Sequence, residues 1–229
     1  MKRYAVPWDL VFGLWPHIRQ GSRTDVDAFS RGIAERIDPP PLIEGMENLP
    51  PDPRFVLAAN HYQRKGLWIL HPAAVLTQVV REHYGPGNPP VRWLVTANFP
   101  RWGPLPSPGD WLLPRVAHAL WCYPVAFHGS NRSFTARSVL RLLREAPRLN
   151  RPIGIFPEGA AGVAGGLGRA LRGVDRLIER IGWPVAPVAI SEEDRLVFRI
   201  GRAEPAGDVM SAIARTMRVP KELSRRLQT

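Results

Sequence analysis

Two short polar sequences carry residue types that could do chemistry. One is Asn60-His61, which closes the apolar run "RFVLAAN" and is followed by Arg64, Lys65 and Gly66. The other is Pro157-Glu158-Gly159, which closes "IGIF". Histidine is the usual general base near neutral pH, because its ordinary pKa of about 6.5 lets it take up and return a proton there. A glutamate with a glycine beside it offers a carboxylate and room for a polar group of a substrate to approach. Both sequences follow runs that read as buried strands, and in open α/β sheets ligands bind beyond the carboxyl ends of the strands. On neighbouring strands, His61 and Glu158 would face one site. A lone histidine at a strand end is more often structural than catalytic, so the surrounding elements carry much of the weight.

Those elements alternate. Residues 24–37 have the amphipathic pattern of a helix capped by Thr24 or Asp25. "PLIEGMENLP" reads as strand and turn, and "RFVLAAN" as a buried strand. A helix is expected from after Gly66 to near Gly85, a strand at "VRWLVTAN", a helix within "DWLLPRVAHAL" and a short strand at "CYPVAF". Helix "FTARSVLRLLREAPRL", strand "PIGIFPEG", helix "GRALRGVDRLIERIG", strands "PVAPVAI" and "RLVFRIG", and terminal helices "GDVMSAIARTM" and "KELSRRLQ" complete the pattern. Strands that alternate with helices predict an α/β fold, a mostly parallel sheet covered on both faces. Prolines clustered in "DPPPLIEG", "LPPDPRF", "GPGNPP" and "GPLPSPGD" mark loops rather than one linker. The expected organisation is an N-terminal helical segment, 1–38, and an α/β domain, 39–229. In 4–20, Trp8, Phe12 and Trp15 recur at roughly helical spacing. They suit either a helix at a membrane interface, where Trp is favoured, or a helix packed on its own core.

The bulk numbers bound the function. The 229 residues are 45% hydrophobic and 22% charged, which suits a globular domain with a sizeable core. The net charge is +11, and among the 31 basic residues only Lys2, Lys65 and Lys221 are lysines. The planar guanidinium fork matches phosphate and carboxylate, so anionic partners are indicated: nucleic acid, a charged membrane or a small phosphorylated or CoA-type substrate. An arginine-rich composition also follows from a GC-rich genome. Nucleic acid is not expected, because the aromatics fall in apolar segments rather than beside arginines on a sheet face. One cysteine, Cys122, excludes an intramolecular disulfide and, with scattered histidines, a zinc site. It reads as a buried residue in a reducing cytosol. No signal peptide or spanning helix is visible. "GGLGRALRG" lacks the last glycine and the βαβ context of a dinucleotide loop.

Taken in order, four pieces resemble the lysophospholipid acyltransferase family over roughly residues 40–200. "LIEGMENLPPDPRFVLAANH" is similar to the entry into its first motif and "FPEG" to its third, a turn associated with the acceptor's glycerol phosphate. "WPVAPVAI" is similar to the fourth, a proline-containing strand, and "LRGVDRLIERIG" to the helix between them. The resemblance implies an acyltransferase of glycerolipid or phospholipid type. His61 would be the general base, moving a fatty acyl group from acyl-CoA or acyl carrier protein to a hydroxyl of a phospholipid or glycolipid precursor, with no cofactor. It also implies Pro157, Glu158 and Gly159 at the acceptor. The second motif's phosphate arginine falls on Arg132 in "YPVAFHGSNR", with Arg137 as the fallback and His128 as a contributor. Arg64, beside Lys65, would supplement it. The expected location is cytoplasmic, peripheral at the inner face of the cell membrane. The first motif departs from the family's pattern: where an aspartate should follow His61 by five positions stands Gly66, and neither Gln63 nor Arg64 supplies a carboxylate. Asp110 is one candidate substitute. The alternative is a lipid-binding relative of the same fold with impaired catalysis.

Overall fold

The computed structural model describes residues 4–62, 64–96, 108–126, 132–159 and 167–217, with the main chain alone at 108, 110, 132 and 133. Within them lies a seven-stranded sheet in the order β1 (Leu42–Glu44), β7 (Leu196–Ile200), β6 (Val185–Glu192), β2 (Val56–Ala59), β5 (Ile153–Ile155), β3 (Arg92–Thr96), β4 (Tyr123–Val125). From β6 to β4 all neighbours are parallel. β7 runs antiparallel to β6 and carries β1 parallel to itself, so the sheet is mixed at that end.

β2 is buried on both faces. Leu57 and Ala59 join Val75, Leu76, Val79 and Val80 of α4 (Leu70–Tyr84) in one core. Val56 and Ala58 join the opposite core. It contains Leu142 of α6 (Arg132–Glu145), Ile178 of α7 (Val174–Ile181) and Ile213 of α8 (Val209–Met217). The two-residue period of a strand thus divides four consecutive apolar residues between two helical layers.

The N-terminal helix is broken into α1 (Trp8–Gly13) and α2 (Trp15–Gln20), whose N-cap is Leu14 and whose second residue is Pro16. Leu14 and Ile18 pack inward with Phe29 and Ile33 of α3 (Val26–Ala34), Ala74 of α4 and Ala119 of α5 (Pro108–Ala119). Trp8, Phe12 and Trp15 point outward. Asp25 caps α3, its side chain accepting from the Ala28 amide at 3.0 Å. The α7 segment, expected to begin near Gly168, starts only at Val174. The Leu171 amide donates to the Pro157 carbonyl (2.8 Å), and Gly173, at φ +93°, turns the chain into the helix. The expected helix "KELSRRLQ" lies outside the described residues.

Candidate active site

Parallel register brings the two polar sequences together. β2 pairs with β5 so that Ala58 lies beside Ile155; three residues on from each stand His61 and Glu158. They meet through the main chain. Glu158 Oε1 accepts the His61 amide at 2.9 Å, and its Oε2 accepts the Gly168 amide at 2.8 Å. At 5% exposure, with one backbone donor on each oxygen, Glu158 holds the end of β2 to the segment that follows the Pro-Glu-Gly turn.

Asn60 fixes the other side of β2. Its Oδ1 accepts the Ile190 amide at 2.6 Å and its Nδ2 donates to the Ile190 carbonyl at 3.0 Å, so a buried side chain stands in for a strand where the ladder to β6 ends. His61 therefore has its backbone pinned from β5 and its neighbour pinned from β6.

The His61 ring is partly buried and meets the edge of Phe156 at 5.9 Å; Phe156 in turn stacks on Trp93 at 5.0 Å. Its Nδ1 is buried, and no described residue gives it a hydrogen-bond partner. Burial pulls the imidazole below its ordinary value, only partly offset by its own backbone and the charge of Glu158. The ring is thus neutral at pH 7. If it acts as a base, kcat/KM is expected to rise with pH and reach half its plateau below 6.5. A pH–rate profile checks this; a midpoint above 6.5 would contradict it.

Gly66 cannot be the missing acid's seat without cost. It sits at φ +86° in a turn closed by the Leu67 amide on the Arg64 carbonyl (3.0 Å). A Cβ built there has only the Tyr4 carbonyl oxygen within 4 Å, at 3.7 Å. Gly66→Asp is therefore expected to lower stability by about 1 to 2 kcal/mol, the cost of a left-handed L-residue, without raising turnover. Chemical denaturation and steady-state rates on the same variant check both halves.

Around the turn Phe156–Gly159, the Gly159 amide donates to the Phe156 carbonyl at 2.9 Å, and Pro157 is buried. Gly159 has φ +63°, and a Cβ there would collide with the Leu171 side chain. Glycine is required here for both conformation and clearance. Arg64 is ion-paired with Glu192, whose side chain is 1% exposed, at the end of β6. Tyr62 lies in the same group, its phenol raised by burial and by Glu192, with Arg64 acting the other way. Arg132 opens α6, and Arg137 lies exposed one turn and a residue further on. Asp110 lies in α5, and Lys65 is exposed beside Gly66. Gln63 and His128 lie outside the described residues. Burial pushes the Cys122 thiol up to about 12. Among the described residues no cluster of metal-ligating side chains occurs, and no helix is long and apolar enough to cross a membrane.

The sequence reading missed the contacts of Asn60, Gly168 and Glu192. Glu192 carried a usable signal: an acid at the carboxyl end of a strand, "PVAPVAISE", where sites form in such sheets. Gly168 carried none, since its partner is ten residues away across a loop.

The mostly parallel seven-stranded sheet with helices on both faces is a fold also found in an acyltransferase of known structure. Among solved structures the chain is similar to the 1-acyl-sn-glycerophosphate (LPA) acyltransferase PlsC from Thermotoga maritima. The TM-score is 0.50 at 15% identity, over 90% of this chain and 79% of that one. At that identity the likeness is one of fold. No protein-family model matches the chain, and no curated protein sequence does.

Proposed function

We propose that the chain transfers a fatty acyl group from a thioester, on CoA or acyl carrier protein, to a hydroxyl of a phospholipid or glycolipid precursor. The observation that carries this reading is a neutral, partly buried His61 clamped by Glu158 at the end of β2, in a fold shared with an acyltransferase. With Nδ1 buried, Nε2 is the nitrogen left to take the acceptor's hydroxyl proton. The freed oxygen attacks the thioester carbonyl, and the tetrahedral intermediate collapses with loss of the C–S bond. The imidazolium returns its proton to the departing thiolate. No acyl-enzyme is needed. Glu158 acts as a positioning residue for His61. Gly159, Pro157 and the start of α6 at Arg132 border the acceptor, and Arg64 reaches it only by leaving Glu192. The chain works at the surface of the membrane that holds its acceptor, on the cytoplasmic side. The experiment is thiol release from acyl-CoA and acyl carrier protein thioesters with a panel of lysolipid acceptors. Release that depends on acceptor and on His61 supports the reading, and none with any pair defeats it.

One observation favours a second reading, a lipid-binding relative with impaired catalysis. For Nε2 to accept a proton, the neutral ring must carry its hydrogen on Nδ1, and there it has no acceptor among the described residues. A buried donor without a partner disfavours that tautomer. Lysolipid binding with no turnover would establish this alternative.

A further inference from the structure

The amino ends of β3, β4 and β5 form the edge of the sheet opposite His61, and three arginines gather there round one indole. The Arg151 guanidinium lies 3.8 Å from the centre of the Trp121 ring, Arg23 4.5 Å and Arg92 5.5 Å. Arg92 opens β3, Arg151 stands two residues before β5, and Trp121 two before β4. Arg23 comes from the turn ahead of α3. That turn is fixed to the end of α5: the Thr24 amide donates to the Ala119 carbonyl (2.9 Å), and His118 Nε2 meets the Gly21 carbonyl (3.0 Å).

Trp121 has φ +58°, in the left-handed region that a bulky side chain seldom enters. Both of its backbone polar groups are bound there. The amide donates to the His118 carbonyl at 3.0 Å, and the carbonyl accepts Arg92 Nε at 3.1 Å. The turn thus sets the indole among the guanidiniums.

The acids nearby are already engaged. Glu145 accepts from Arg92 (2.5 Å), Arg141 (2.7 Å) and the Tyr123 hydroxyl (2.7 Å). Asp27 is paired with Arg81, and its other oxygen is buried without a hydrogen-bond partner among the described residues, so it does not reach Arg151. Arg151 is 8% exposed, and its Nη1 is buried and bonded to no described residue. Burial, then the charges of Arg92 and Arg23, pull this guanidinium down to about 10, so it is still charged at pH 7. Arg23 is exposed and forms no ion pair among the described residues. A buried cation without a counter-charge is costly, and its contact with the Trp121 ring offsets only part of that cost. A guanidinium fork matches a phosphoryl group, and two uncompensated cations favour a doubly charged one.

We propose that Arg23, Arg151 and Trp121 form a binding site for a doubly charged phosphoryl group, separate from the candidate active site. Arg151 leads into β5 at one end, and Glu158 follows the other end of the same strand. Substrates of open α/β sheets bind at the carboxyl edge, so an anion at the amino edge would be a second ligand rather than the acceptor. It enters as the exposed Arg23 side chain turns to share it, and Nη1 of Arg151 gains the partner that the chain itself does not supply. The inference does not depend on the proposed acyl transfer.

The test is titration calorimetry at fixed ionic strength with inorganic phosphate and, separately, with a water-soluble short-chain phosphatidate. Saturable binding with Kd of about 1 mM or tighter is expected of the wild type. It should weaken about tenfold or more in Arg23→Ala and in Arg151→Met and stay unchanged in His61→Ala. Binding of inorganic phosphate with these losses supports the site and shows that a free ion suffices; the same losses with the phosphatidate alone support it and assign a lipid headgroup. Phosphate should also raise the melting temperature of the wild type and of neither arginine variant. Should Arg151→Met fail to fold, Arg23→Ala, at an exposed position, decides alone. No saturable binding of either probe, or equal binding by wild type and Arg23→Ala, overturns the proposal. So does loss of binding in His61→Ala, since the anion would then sit at the candidate active site.

Discussion

Replacing His61 with alanine is expected to reduce acyl transfer between about 10² and 10⁴-fold, the usual contribution of a positioned general base. KM for the thioester should change little. The loss should sit in kcat, because the ring acts on the acceptor's proton and not on donor binding. Stability should barely fall, since the main-chain contact that Glu158 makes at position 61 does not involve the ring. Glu158→Gln offers the complementary case. Glutamine keeps one oxygen for one of the two amides but turns an N–H₂ towards the other. It should slow turnover through misplacement of His61, and the pH midpoint should fall further, because the carboxylate's charge is the contribution that raises the imidazole while burial is unchanged. Circular dichroism with rate measurements separates the two variants: His61→Ala should melt like the parent, Glu158→Gln below it.

The second large effect concerns stability. Asn60→Ala is expected to cost about 3 kcal/mol, because it strands a buried amide and a buried carbonyl of Ile190 together. Asn60→Asp should do no better, since an oxygen replaces the amide that faces the Ile190 carbonyl. Urea unfolding should show a lower midpoint with unchanged slope. A change under 1 kcal/mol in Asn60→Ala would mean that β6 does not depend on this side chain.

Much of the frame was legible in the sequence because single segments encode it. "VLAA" is apolar throughout and is buried on both faces; Asp25 precedes a helical period and caps it; Gly85 ends α4. The meeting of His61 with Glu158 was also legible, because both follow strands of an open α/β sheet. What each of them touches was not. The Arg64–Glu192 pair spans 128 positions, and nothing local in "QRKG" or "SEED" announces it. The direction of β7 was equally hidden, since a short buried run reads alike in parallel and antiparallel settings. The three-residue link Glu193–Arg195 between β6 and β7 is too short for a parallel crossover and could have given the direction. The start of α7 was misjudged because Leu171 serves the Pro157–Gly159 turn rather than a helix.

The order of the sheet has a bearing on how the protein behaves in concentrated solution. Its outermost strands, β1 and β4, are only three residues each in a sheet whose β6 has eight. Open strand edges are templates for pairing with another chain, and brevity is one way proteins blunt them. Aggregation by edge-to-edge strand addition is accordingly disfavoured at both margins.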